Sequence, residues 1–105
     1  MSEKKLPTYD LEAFKSTCTS VEKLDITGTA IDTAAEAGFT RENIVEVIQT
    51  MERSHFYKSM TSFADHKVWQ DVYHVPSSAG LLYIKFTSDP QTGFRLLSFK
   101  EKDDG

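Results

Sequence analysis

The chain has 105 residues, 39% of them hydrophobic and 27% charged, a profile that excludes a disordered protein and a multidomain enzyme. No apolar run approaches the roughly 20 residues that span a bilayer, and the charged start Met1-Ser2-Glu3-Lys4-Lys5 is not a signal peptide, so a cytoplasmic protein without membrane contact is expected. One cysteine, Cys18, excludes an intramolecular disulfide, and the formal net charge of −4 counts against a protein coated with basic charge for nucleic acid.

The acidity is uneven. Residues 1–53 carry six Lys/Arg and ten Asp/Glu, residues 54–105 six of each, and without Asp103 and Asp104 the second half is net positive. Most of the acidic side chains read as ordinary solvated helix faces. One domain spanning 1–105 is expected, helical over about 8–53 and sheet over about 54–102.

Leu11, Phe14, Cys18 and Val21 recur at near-helical spacing, which predicts a first helix capped by Thr8 or Asp10. An Ala-rich second helix is expected from about Thr27 to Ala37, closed by Gly38 in the left-handed region. The third has the clearest start. Thr40 is a cap, Phe39 and Ile44 stand at staple positions, and Ile44, Val47, Ile48 and Met51 form the stripe of a helix packed on a sheet.

The period then changes. Segments 55–61, 67–75, 81–87 and 94–102 are rich in aromatic and β-branched residues and read as strands, with turns at 62–66, 76–80 and 88–93. Short links favour an antiparallel meander. Helices followed by strands give an α+β fold with N-terminal helices packed on an antiparallel sheet. The tail Asp103–Gly105 is expected to fray.

The strand half holds the residues suited to chemistry. Metal-free cleavage of RNA needs a base for the 2′-hydroxyl, cations for the phosphate and an acid for the departing 5′-oxygen. Lys58, Gln70, Tyr83, Lys85, Arg95 and Lys100 supply one or two suitable groups per strand. A lone strand Lys is more often a solvated outer residue, and a strand Tyr more often packing. Gln70 stands out, because it shares a period-2 face with Val68 and Val72 and must find a partner or face a cleft. His55, His66 and His74 could exchange protons near neutrality, though surface or turn positions are the more ordinary reading. Phe56, Trp69 and Tyr73 could stack bases, with core packing the better expectation for Trp69. One Cys and three separated His match no structural zinc spacing, so no metal and no cofactor is expected. No dinucleotide fingerprint, phosphate-binding glycine loop or Gly-flanked nucleophilic serine occurs.

The run Phe56-Tyr57-Lys58-Ser59-Met60-Thr61-Ser62, continued by Asp65-His66 and Trp69-Gln70-Asp71-Val72-Tyr73, resembles the signature of the MqsR (motility quorum-sensing regulator) toxins. Leu82-Tyr83-Ile84-Lys85 and Leu97-Ser98-Phe99-Lys100-Glu101-Lys102 are similar to that family's last two strands, and the helical half matches in length and order. The resemblance implies a RelE-like microbial-ribonuclease fold. It implies an endoribonuclease toxin (an mRNA interferase) that cuts single-stranded mRNA without the ribosome, at triplets beginning G-C. It also implies a partner antitoxin with a zinc-binding domain and a helix-turn-helix domain. By motif position the catalytic residues are Lys58, Gln70, Tyr83 and Lys100, and Tyr57, Lys85 and Arg95 are the expected RNA contacts. Three features depart from the family: the net acidity, the lack of arginines over 74–80, and a longer 88–93 loop. The acidity favours a rival reading, a toxin-fold interaction module that binds its partner with little ribonuclease activity.

Overall fold

The computed structural model describes residues 2–102, so the tail expected to fray lies outside the described residues. Helix α1 spans Leu11–Thr17, α2 Gly28–Glu36 and α3 Arg41–Thr50. Five strands form one sheet: β1 Glu3–Lys4, β2 Phe56–Thr61, β3 Trp69–Ser77, β4 Gly80–Asp89 and β5 Gly93–Glu101. They lie in chain order and every neighbouring pair is antiparallel, the expected meander with one extra strand. The α+β arrangement is as the sequence predicts.

Each helix starts where a side chain can satisfy its free N–H groups. Asp10 accepts from Glu12 N, Thr27 from Ala30 N and Thr40 from Asn43 N, the last with Asn43 returning a bond to Thr40 N. Helix α1 is shorter than its apolar spacing predicts. It stops at Thr17, Cys18 is its C-terminal cap, and Val21 belongs to a separate 3-10 turn, Val21–Lys23. The hydroxyl-rich run Ser16-Thr17-Cys18-Thr19-Ser20 is a poor helix continuation, because such side chains compete for backbone hydrogen bonds.

The core sits between the helices and one sheet face. Phe14, Cys18, Ala30, Ala34, Ile44, Ile48 and Met51 meet Tyr73, Val75, Leu82, Ile84, Phe86, Leu96 and Phe99. Phe14 stacks on Phe86 with centroids 3.8 Å apart, and Phe39 meets Phe99 edge-on at 5.2 Å. Thr33 in α2 donates to Phe99 O at 2.7 Å, which ties this helix to β5.

Both C-terminal hairpins are tighter than expected. Strand β3 runs through Pro76, and Ser78-Ala79 alone make the turn, with the Ser77 hydroxyl accepting from Ala79 N and donating to Gly80 O. In the β4–β5 link only Pro90, Gln91 and Thr92 lie between the strands, because the Asp89 carboxylate accepts from Gln91 N and Thr92 N.

A candidate active site on the open face of the sheet

Side chains alternate along a strand, so the register that buries Tyr73, Ile84 and Phe99 sends their neighbours to the face without helices. Two rows cross that face. Lys58, Val72, Lys85 and Ser98 are successive cross-strand partners. So are His74, Tyr83 and Lys100. A bulge between Phe56 and Lys58 adds Tyr57 to β2, and its ring lies on His74 at 4.3 Å and 23°. The second row is therefore an aromatic strip across four strands with a lysine at its end.

A groove of about 380 Å³ follows this strip, lined by Tyr57, Lys58, His74, Tyr83, Lys100 and Lys102. Lys100 Nζ lies 5.3 Å from the centre of the Tyr83 ring, and Lys58 Nζ lies 5.4 Å from that of Tyr57. Lys58 also forms an ion pair with Glu3, which β1 delivers to the sheet edge beside β2. The Glu3 hydrogen bond holds the Lys58 ammonium above the usual lysine range, and reciprocally holds the Glu3 carboxyl below its own. Burial pushes the Tyr83 hydroxyl up, so it stays a phenol at neutral pH. Lys85 is half-buried, and burial together with Lys100 pulls its amine down.

Of the residues expected from the sequence, Lys58, Tyr83, Lys100 and Tyr57 meet in the groove. Lys85 lies on the same face in the adjoining row. Gln70 is opposite Met60, on the same face of β3 as Val72 and His74 but further along the strand, outside the groove lining. Val72 is fully buried although it is on the open face, between its row neighbours Lys58 and Lys85. Arg95 is elsewhere. Its guanidinium is 3.1 Å from Asp25 and 3.2 Å from Asp89, and these two carboxylates neutralise it.

Two groove residues were not selected from the sequence, His74 as a site residue and Lys102. Their signal is parity: His74 stands four residues after Gln70 and Lys102 two after Lys100. The other histidines do different work. His55 Nδ1 accepts from Glu52 N at 3.0 Å, and His66 is exposed in the β2–β3 loop. Phe56 and Tyr73 pack on the helix side, their rings 5.4 Å apart, and Trp69 is covered by Lys4 at 4.3 Å.

A lysine-flanked aromatic groove on the open sheet face of an α+β protein offers cationic and flat-ring groups, the chemistry that suits a nucleic-acid strand. Residues 6–101 match the family described as motility quorum-sensing regulator, toxin of MqsA, and the chain belongs to that family. It is similar to the mRNA interferase toxin MqsR of Escherichia coli (strain K12), with 35% identity over 100 residues, covering 95% of this chain and 99% of the relative.

Proposed function

We propose that this protein is a cytoplasmic, metal-independent endoribonuclease toxin of the RelE-like fold that cuts single-stranded mRNA without the ribosome. The observation that carries the reading is the groove: among the described residues it is lined by three lysines, two tyrosines and a histidine, and the carboxylate beside it, Glu3, is held by Lys58. Such a lining attracts a phosphodiester and repels a divalent cation.

In this reading Lys58 and Lys100 hold the scissile phosphate and neutralise the charge that grows on it as the 2′-oxygen attacks. Tyr83, kept protonated by burial, donates to the departing 5′-oxygen. Tyr57 is exposed and offers ring surface for a base, with Lys5 Nζ over the ring at 5.1 Å adding charge. Gln70, half-buried on the same face, positions a phosphate or base edge beyond the groove. Lys85 extends the cationic surface to a neighbouring phosphate. Cleavage at triplets beginning G-C, and neutralisation by an antitoxin with zinc-binding and helix-turn-helix domains, complete the proposal.

The test is cleavage of a defined single-stranded RNA with excess chelator. The wild-type chain leaves a 2′,3′-cyclic phosphate, and Lys58→Ala loses about 10²–10³ in rate, the usual worth of one charge-stabilising group. The net charge of −4 favours one rival, an interaction module that binds its antitoxin but does not cut. Folded, antitoxin-free chain that leaves varied RNAs intact selects that rival.

A further inference from the structure

The groove as assigned above has phosphate ligands and a proton donor but lacks a proton acceptor. Transfer to a 2′-oxygen requires one, because the hydroxyl must lose its proton as its oxygen bonds to phosphorus. Lysine and tyrosine ordinarily hold their protons to about pH 10. Glu3 holds the Lys58 ammonium still more firmly, and burial does the same for the Tyr83 phenol. Among the described residues that line the groove, that leaves His74 as the side chain that is neutral and basic at physiological pH.

We propose that His74 is this acceptor, the general base that takes the 2′-hydroxyl proton of the nucleotide whose phosphate rests on Lys58 and Lys100. The inference rests on the ribonuclease reading above. Its geometry comes from the strand register. His74 faces Tyr83 directly across β3 and β4, with ring centroids 6.0 Å apart. One face of the imidazole is stacked on Tyr57, which fixes the ring plane, and His74 is only partly buried in the groove lining. Among the described residues no hydrogen bond occupies its ring nitrogens, and burial and Lys102 are what act on the ring.

The step balances without a co-reactant. The 2′-oxygen–phosphorus bond forms as the 2′-proton passes to His74. The phosphorus–5′-oxygen bond breaks as Tyr83 gives its proton to that oxygen. A 2′,3′-cyclic phosphate and a 5′-hydroxyl result. The imidazolium then returns its proton to the phenolate through water, which restores both groups.

The charges around His74 set the pH dependence. Tyr57 and Lys58 face it from β2, Tyr83 from β4, Lys100 from the end of β5 and Lys102 from just beyond it. Burial first, then Lys102, lower its affinity for a proton. Only the neutral ring accepts, so activity rises as pH climbs through the folded-state pKa of His74, below the ordinary value of about 6.5. Two other groups compete for the role. The Glu3 carboxylate is engaged by Lys58 and made a weaker base by it. Lys85 has its amine pulled down but stands in the adjoining row, outside the groove lining.

The experiment is the pH profile of kcat/KM, which titrates the free enzyme, on a single-stranded RNA for the wild type, His74→Gln and Glu3→Gln, with kcat and KM separated at the plateau, beside an NMR titration of the His74 ring in the RNA-free wild-type protein. The wild-type profile shows one acidic limb with its midpoint below about pH 6.5, matching the NMR titration. His74→Gln loses about 10²–10⁴ in kcat and loses the limb, with KM little changed. Glu3→Gln keeps the limb. An NMR midpoint that differs from the kinetic one overturns the assignment without any variant. So does His74→Gln that keeps the limb or loses only affinity, the signature of a ring that merely stacks. Loss of the limb in Glu3→Gln transfers the role to that carboxylate. Wild-type protein that cleaves no RNA sinks the ribonuclease reading and the proposal together, whereas cleavage by His74→Gln at the wild-type rate sinks only the proposal.

Discussion

Asp71 is the residue on which the site's frame depends most. It is fully buried, and its carboxylate accepts from Thr8 N at 3.0 Å, Tyr9 N at 2.9 Å and Ser59 Oγ at 2.6 Å. These bonds pin the segment leading into α1 against the helix side of β2 and β3, directly beneath Lys58 and Gln70. Asp71→Ala leaves three donors facing a void, and about 2–4 kcal/mol of stability goes with them in a urea titration, as for buried hydrogen bonds to a charged group. Cys18 makes a contrasting prediction. Burial, with Asp25 nearby, pushes its thiol up to about 11. It therefore resists alkylation in the native protein and reacts at an ordinary rate only in denaturant. Much of the groove was readable residue by residue, because parity alone sends Lys58, Tyr83 and Lys100 to one face once the strands are placed. His74 needed more. Its position opposite Tyr83 depends on a two-residue turn at Ser78-Ala79, and the sequence around Pro76 suggests a longer loop. Arg95 shows the opposite limit, since one of the two carboxylates paired with it, Asp25, is 70 residues away.

At the level of elements, the strong signals are local and the missed ones are not. Helix α3 begins where its cap and staple say it should, since Thr40, Asn43 and Phe39 all act within one turn. Thr40→Ala costs about 1 kcal/mol by thermal or chemical unfolding, the usual worth of such a cap. Strand β1 has two residues and no pattern of its own. It exists because Ser2 and Thr61 bond each other twice, Ser2 N donating to the Thr61 hydroxyl at 2.8 Å and Thr61 N to Ser2 O at 2.9 Å. Sequence periodicity cannot announce a strand whose only cause is its partner. Gly93 opens β5 with φ +93°, and a side-chain carbon there would meet Thr17 at 3.4 Å. Gly93→Ala thus loses about 1–2 kcal/mol of stability from the backbone alone. It also loosens the β4–β5 link that carries the Asp25–Arg95–Asp89 contacts.

For the whole molecule the question is how a chain of net charge −4 holds a polyanion. The helical half carries the excess acid, and the groove opens on the opposite side of the sheet, where three lysines line it and the nearby Glu3 carboxylate is held by one of them, Lys58. Attraction to RNA is then confined to the groove rather than spread over the surface. Counterion release makes this measurable, because the logarithm of the binding constant falls with the logarithm of salt by about 0.7 per phosphate neutralised on a single strand. The three groove lysines, of which Lys58 is already paired with Glu3, give a slope no steeper than about −2, shallow for a nucleic-acid protein. Lys102→Ala lowers it by about 0.7 and weakens binding of different sequences equally. A steep slope, of about −5 or more, would mean that cations beyond the groove hold the RNA, and the confinement argued from the charge distribution would be wrong. A shallow slope ties affinity instead to stacking on the Tyr57–His74–Tyr83 strip. Tyr57→Ala then weakens binding by about 1–3 kcal/mol at every salt concentration, leaving the slope where it was.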